Sequence, residues 1–370
     1  MGSTRRGARE QASGVLWTCE EPGEAPPGGC PFGSQLHAGA AEQASLIYGP
    51  APALPVLQLQ PTPPVQAVAR HDLPDLAAPS ALQGLQGWLV RQAVGGVLPL
   101  RRLWPSVGVE PGARTGRLEL ELVSHCWNYS HLLEFQLGSL AANPPREVDV
   151  TMTVYFCEED VRTARLLELA GQQEIPNVTF CWRALPRELL FRRSIGRNHA
   201  ALNTTADWIW FTDCDVLFGP GCLDSLGRSL QGRNDRLVFP AVERLTTLLA
   251  DEALEGEEQP QLREPPAEIS FVEVPVTKAK GPLQITHGDV ARDVGYCRDL
   301  AVYQRPESAF AKCREDTAFR WLLGTQGVPV EVEGLSRIRH LSKGRYSGSA
   351  TGSSLRSSVR RVQDWFRHPG

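Results

Sequence analysis

Two aspartates one residue apart, Asp213 and Asp215, stand where the apolar run WIWFT (208–212) ends. A buried strand that stops at two carboxylates puts them at the edge of a sheet, and in open α/β sheets the carboxyl edge is where ligands bind. Hard oxygen ligands so placed suit Mg²⁺ or Mn²⁺, and a cation held there neutralises a departing diphosphate. A second acidic pair, Glu315 and Asp316, opens the helical stretch EDTAFRWLL. Carboxylates are favoured there by the helix dipole alone, and can also take a proton from a hydroxyl. Arg197 and Asn198 lie on a helical stretch just ahead of the WIWFT strand, where a guanidinium suits a diphosphate or sugar hydroxyls.

These residues need elements to hold them. From Arg117 onward apolar runs of strand type (LELELVSHC, VDVTMTVYFC, NVTFCWRAL, DWIWFTDCDVLF) alternate with stretches of helical spacing (YSHLLEFQLGSLAA, VRTARLLELAG, RRSIGRNHAALNTTAD). That alternation predicts a mostly parallel sheet covered on both faces, an α/β/α sandwich. CLDSLGRSLQ reads as a further helix and RLVFPAV as a strand. VPVEVEGLSRIRHL reads as a last strand with His340 at its end, and residues 251–268 as an exposed acidic loop.

The rest of the chain is of another character. Fifteen of the 29 prolines precede residue 117 in a sequence of 370. Residues 1–116 are therefore expected to be a largely irregular, low-complexity extension, with one short helix near 80–97. Residues 346–370 form a Ser/Gly/Arg-rich tail. Its Leu355, Val359, Val362 and Phe366 recur at helical spacing, a pattern that would suit contact with a membrane surface. The net charge of −4 carries no nucleic-acid signal. No apolar stretch is long enough to span a bilayer. MGSTRRGAREQASG has no apolar segment behind its charges, and the nine cysteines form no C-x-x-C pair, so the expectation is a cytoplasmic protein, peripheral to the membrane at most.

The order of these motifs resembles the family 2 glycosyltransferases of the GT-A fold. The resemblance covers about 117–345 and rests on Gly196, Arg197, Asn198 and Ala200, then Asp213 and Asp215, then GPLQITHGDVARDVGYC and the Glu315-Asp316 pair. It implies inverting transfer of a sugar from a UDP- or GDP-linked donor to a hydroxyl of a saccharide, lipid-linked or small-molecule acceptor. Asp215 would ligate the metal, and Asp213 would hold the donor, also through that cation. Arg197 and Asn198 would face the donor. Asp316 would be the base and Glu315 its acceptor-positioning partner. His340 would be a further metal ligand, with Lys343 and Arg345 closing over the diphosphate. In place of the family's usual acidic turn after the second strand stands CEED, which offers Glu158 or Asp160 to the donor base. Trp127 and Tyr129 could stack on that base.

Two other readings use the same residues. DCDVL resembles the nucleophile motif of haloacid-dehalogenase phosphatases, and Gly288–Asp293 its later metal motif, although three strand–helix units would then precede the nucleophile. A GT-A-like domain could also bind a sugar without turning it over.

Overall fold

A computed structural model of the chain describes residues 63–69, 73, 80–103, 107–250, 254, 259–307 and 314–341. Lys343, Arg345 and the 346–370 tail lie outside the described residues. So does the first of the chain's two compact units, Met1–Leu57; the second is Gln58–Gly370.

Within the second unit, strand β1 (Gln66–Ala67) and helix α1 (Ala81–Val94) come from the stretch expected to be irregular. The helix falls where one was read. The strand was not foreseen, and it pairs in parallel with β4 (Val178–Ala184) at the edge of the main sheet. The alternation then runs β2 (Glu119–His125), α2 (Ser130–Ala142), β3 (Asp149–Phe156), α3 (Val161–Gly171) and β4. It continues through the single turn α4 (Arg187–Leu190), α5 (Arg193–Asn203) and β5 (Trp208–Phe211). β5 is wholly buried and β2 and β3 are mostly so, as parallel strands covered on both faces must be, whereas β4, nearer the sheet edge, is only half-buried.

The second half supplies β6 (Val216–Phe218), α6 (Cys222–Leu230), β7 (Leu237–Pro240), β8 (Val242–Leu249) and β9 (Phe271–Pro275). After these come β10 (Gln284–His287), α7 (Gly288–Val294), α8 (Glu315–Leu323), β11 (Val328–Val330) and β12 (Leu335–His340). The main sheet has the order β1-β4-β3-β2-β5-β10-β7-β11, and only β10 runs against its neighbours. The fold is thus the mostly parallel α/β arrangement expected for a GT-A domain.

The strand order fixes where a ligand can sit. The chain steps outward from β2 to β4 and then returns to the other side of β2 for β5. Right-handed crossovers therefore put α2 and α3 on one face and α5 on the other. α2 packs on α3, and α5 on α7. Between β2 and β5 the chain leaves in opposite directions, which opens a crevice at their carboxyl ends.

A four-stranded sheet, β6-β12-β8-β9, begins one residue beyond Asp215. The single strand expected at 328–341 is in fact two, split between the sheets by Gly334. Its φ is +65°, and a Cβ there would lie 2.7 Å from the Pro220 carbonyl oxygen, so the turn requires glycine. The acidic loop is not simply exposed. Leu254 is buried, and Arg263 lies on α2, with Nε 2.8 Å from Glu134 Oε2 and its guanidinium carbon 4.2 Å from the Phe135 ring centre.

Candidate active site

Asp213 leaves the end of β5 and meets two guanidinium groups from α5. Arg193 Nη1 donates to Asp213 Oδ1 at 2.5 Å, and Arg197 Nη2 donates to the same oxygen at 3.1 Å. The two arginines are four residues apart and so lie one above the other on one helix face. Only Arg197 was singled out from sequence, and it is the one sealed away, with no exposed surface. Its Nη2 also donates to the Thr212 carbonyl at 3.0 Å and its Nη1 to the Tyr296 hydroxyl at 3.0 Å. Arg197 therefore positions Asp213 from behind and does not face a donor. Burial lowers its pKa, but Tyr296, Asp213 and Glu315 more than offset this and raise it, so the guanidinium stays charged.

The same pair of arginines reaches the acidic pair on α8. Glu315, itself buried, has Oε1 3.3 Å from Arg193 Nε and 4.0 Å from Arg197 Nη1. Such a side chain is a partner for arginines rather than for an acceptor, which corrects the role expected of it. Its neighbour Asp316 is about a third exposed, with Arg320 Nη1 3.3 Å from Oδ2. Its backbone is tied to the rest of the site: Arg197 donates to Tyr296, the Tyr296 hydroxyl to Gln284 Oε1 at 2.7 Å, and Gln284 Nε2 to the Asp316 carbonyl at 3.0 Å. Residues at 193–197, 213, 284, 296 and 315–316 thus form one connected network, and its order from β5 to α8 follows the order read from sequence.

Asp215 lies deeper and is nearly buried. The Ile338 N–H donates to its carbonyl at 2.9 Å. Arg337 pairs with Val216 across β6 and β12, directly after Asp215. Burial lowers the Arg337 pKa, but the charges of Asp215 and Glu243 outweigh it and hold the guanidinium above its usual range. Glu243 is fully buried between Arg337 Nε at 2.9 Å and Lys280 Nζ at 2.8 Å. Burial raises its pKa, and the two cations, Arg337 foremost, reverse that and keep the carboxyl below the usual range. Neither Arg337 nor Glu243 belongs to a motif, and only the strand pairing reveals them.

At the carboxyl end of β2, His125 is buried against Tyr155, ring centres 4.9 Å apart, and neither ring nitrogen has a hydrogen-bond partner among the described residues. Burial, then the Arg197 and Arg193 charges, hold its pKa well below the usual imidazole value, so the ring is neutral.

Two other expected donor contacts have local structural roles. Asn198 Oδ1 accepts the Tyr296 N–H at 2.9 Å and so anchors the turn after α7. Asp160 caps α3, accepting from Thr163 N at 3.2 Å and Thr163 Oγ1 at 2.6 Å, and also holds Asn128 N at 2.6 Å. Glu158 is exposed and lines a cleft of about 460 Å³ with Phe156, Trp182 and Arg165. Trp127 and Tyr129 are buried; Trp127 packs edge-on to Phe191, and Tyr129 edge-on to His340 at 5.2 Å.

His340 ends β12 and is buried. Among the described residues no group of three or more His, Cys, Asp or Glu side chains could hold a metal ion, so Asp213, Asp215 and His340 do not form a ready-made donor set. Asp213, one half of the D-x-D pair expected to hold Mn²⁺ or Mg²⁺, is engaged by two guanidinium groups.

The phosphatase reading fails on strand direction. β10 is antiparallel to β5, with Gln284 beside Phe211 and His287 beside Trp208. Asp289 therefore lies at the opposite rim from Asp213, roughly 10 Å or more away at ~3.3 Å per strand residue. There it is held by Arg292 at 2.6 Å and Arg114 at 3.2 Å.

No family model matches the chain, and no curated protein does. Solved structures do. One is S. aureus TarS residues 1–349, at 14% identity and a TM-score of 0.32, covering 67% of this chain and 65% of that one. Another is the mannosyltransferase PcManGT from Pyrobaculum calidifontis in complex with GDP-Man and Mn²⁺, at 14% identity and a TM-score of 0.35, covering 77% and 75%. The chain thus spans just under two thirds of the TarS chain. Both superpositions are too loose to transfer a function. No helix among the described residues is long and apolar enough to cross a membrane.

Proposed function

We propose that the chain is a glycosyltransferase that moves a sugar from a nucleoside-diphosphate donor, UDP- or GDP-linked, to a hydroxyl acceptor with inversion. The observation that carries this reading is the shared arginine: Arg193 joins Asp213 at the end of β5 to Glu315, whose neighbour Asp316 is the partly exposed carboxylate. One guanidinium thus sets the spacing between a donor-side and an acceptor-side acid at the crevice between β2 and β5, where an α/β sheet binds its ligand.

The chemistry follows from those positions. The acceptor oxygen attacks the anomeric carbon as the bond from that carbon to the diphosphate oxygen breaks. The acceptor proton passes to the Asp316 carboxylate. Stabilising the charge that grows on the leaving diphosphate is the largest demand on the site. Asp213 orients the donor sugar or ribose. No step of this reading runs through a metal ion.

The test is release of nucleoside diphosphate from UDP-, GDP- and ADP-sugars in the presence of a panel of hydroxyl acceptors. One donor class should turn over, and Asp316→Asn should slow the release by about 10²–10⁴-fold. Full activity in that variant, or thermal stabilisation by phosphate mimics and by none of the donors, would sink the reading.

A further inference from the structure

The charge on Asp213 is already met by side chains. Asp213 Oδ1 holds two guanidinium groups, at 2.5 and 3.1 Å. Asp215 precedes Val216, the residue opposite Arg337 in the strand pairing, and the Arg337 guanidinium itself is held by Glu243 at 2.9 Å. Glu243 and Glu315 are matched in turn by Lys280 with Arg337, and by Arg193 with Arg197. A dication brought onto Asp213 would face two guanidinium groups, and among the described residues no three His, Cys, Asp or Glu side chains stand ready to take it.

Three of these cations, Lys280 and two arginines, keep surface to offer. The Arg193 side chain is 31% exposed and that of Arg337 is 16% exposed, whereas Arg197 has none. A guanidinium carries five N–H donors in a planar fork that matches phosphate oxygens two at a time. It can therefore hold a carboxylate on one edge and a phosphate on another.

Resting on the glycosyltransferase reading above, we infer that Arg193 and Arg337 hold the donor diphosphate and supply the positive charge at the leaving group, so that donor binding needs no divalent cation. In this arrangement Asp213 fixes Arg193, Glu243 fixes Arg337, and the arginines meet the phosphates.

The experiment is calorimetric titration of the full chain with UDP, GDP and ADP, in EDTA and again in Mn²⁺ or Mg²⁺. One nucleoside diphosphate should bind in EDTA with an affinity that added metal changes by less than about twofold. Arg193→Lys keeps the charge and loses the fork, and should weaken that binding roughly tenfold in either condition. Arg337→Lys should do the same, and serves if the first variant unfolds. Binding that appears only with Mn²⁺ or Mg²⁺, or that is unmoved in both variants, overturns the inference. Binding of none of the three nucleotides in either condition overturns the glycosyltransferase reading itself, and this inference with it.

Discussion

Arg193 spans Asp213 and Glu315, its Nη1 2.5 Å from one carboxylate and its Nε 3.3 Å from the other. A residue at the start of α5 thereby ties the end of β5 to the start of α8, two elements far apart in the chain. Arg197, one turn further on, backs the same pair from the interior.

Arg197 should be the costlier of the two to remove. Arg197→Ala leaves Asp213 and Glu315 short of a buried cation, and breaking a buried ion pair costs roughly 3–5 kcal/mol. Arg193 is partly exposed, so Arg193→Ala should cost about 1 kcal/mol or less after solvent screening. Urea unfolding of both variants checks the ranking, and equal losses would contradict the assignment of Arg197 as the positioning residue.

Asp316→Asn should separate catalysis from binding. Loss of a general base lowers turnover by about 10²–10⁴-fold. Donor affinity should stay within about twofold, since Asp316 lies on the acceptor side of the network. Single-turnover rates beside a donor titration give both numbers. A turnover near that of the unaltered chain would exclude Asp316 as the base.

Gly196→Ala tests why a glycine sits beside Arg197. A Cβ there would lie 2.3 Å from His125 Nε2 and 3.0 Å from Tyr155 Cγ, both on buried side chains. Overpacking of this kind costs about 1–3 kcal/mol, read as a fall in the unfolding midpoint at unchanged m-value.

Acid should weaken the fold through His125. Its folded pKa is depressed by burial, then by Arg197 and Arg193, against a partial pull upward from Asp213. Below the ordinary value of 6.5 the unfolded chain binds a proton that the folded chain refuses, so stability falls as pH drops from there. One such histidine contributes a slope of roughly 1 kcal/mol per pH unit. Glu243 acts lower down and in the same direction: its folded pKa is depressed, so its contribution is present above the ordinary carboxyl value and lost as pH falls through the folded one. Urea midpoints at pH 7, 6 and 5, flattened in His125→Phe if that variant folds, would show the slope; a flat profile in the unaltered chain would refute it.

Much of the frame was legible because it rests on periodicity. The apolar runs ending at His125, Phe156 and Phe211 are strands, and Glu315-Asp316 opens a helix, as spacing alone indicates. Partners were not legible. Asp160 and Asn198 are of ligand-binding type, yet each is engaged by a backbone N–H a short distance away in space. Arg193 sat unread because its meaning depends on the i,i+4 relation to Arg197 and on which face of α5 meets β5. Arg337 and Glu243 needed the pairing of β12 with β6 and β8, a register between distant segments that no local pattern encodes.

The reversed strand has a consequence for how the protein comes together. β2 to β5 pair in parallel through successive crossovers, so a chain made as far as Phe218 already holds the material for Asp213 and its arginines from α5. Gln284 and Tyr296, which link Arg197 to Asp316, arrive only when β10 slots between β5 and β7. That insertion closes long loops and comes at a cost in chain entropy that the earlier pairings avoid. The acid that takes the proton is thus fastened in place by a late-joining part of the sheet, so an incompletely assembled molecule would hold Asp213 and its arginines without the acceptor half.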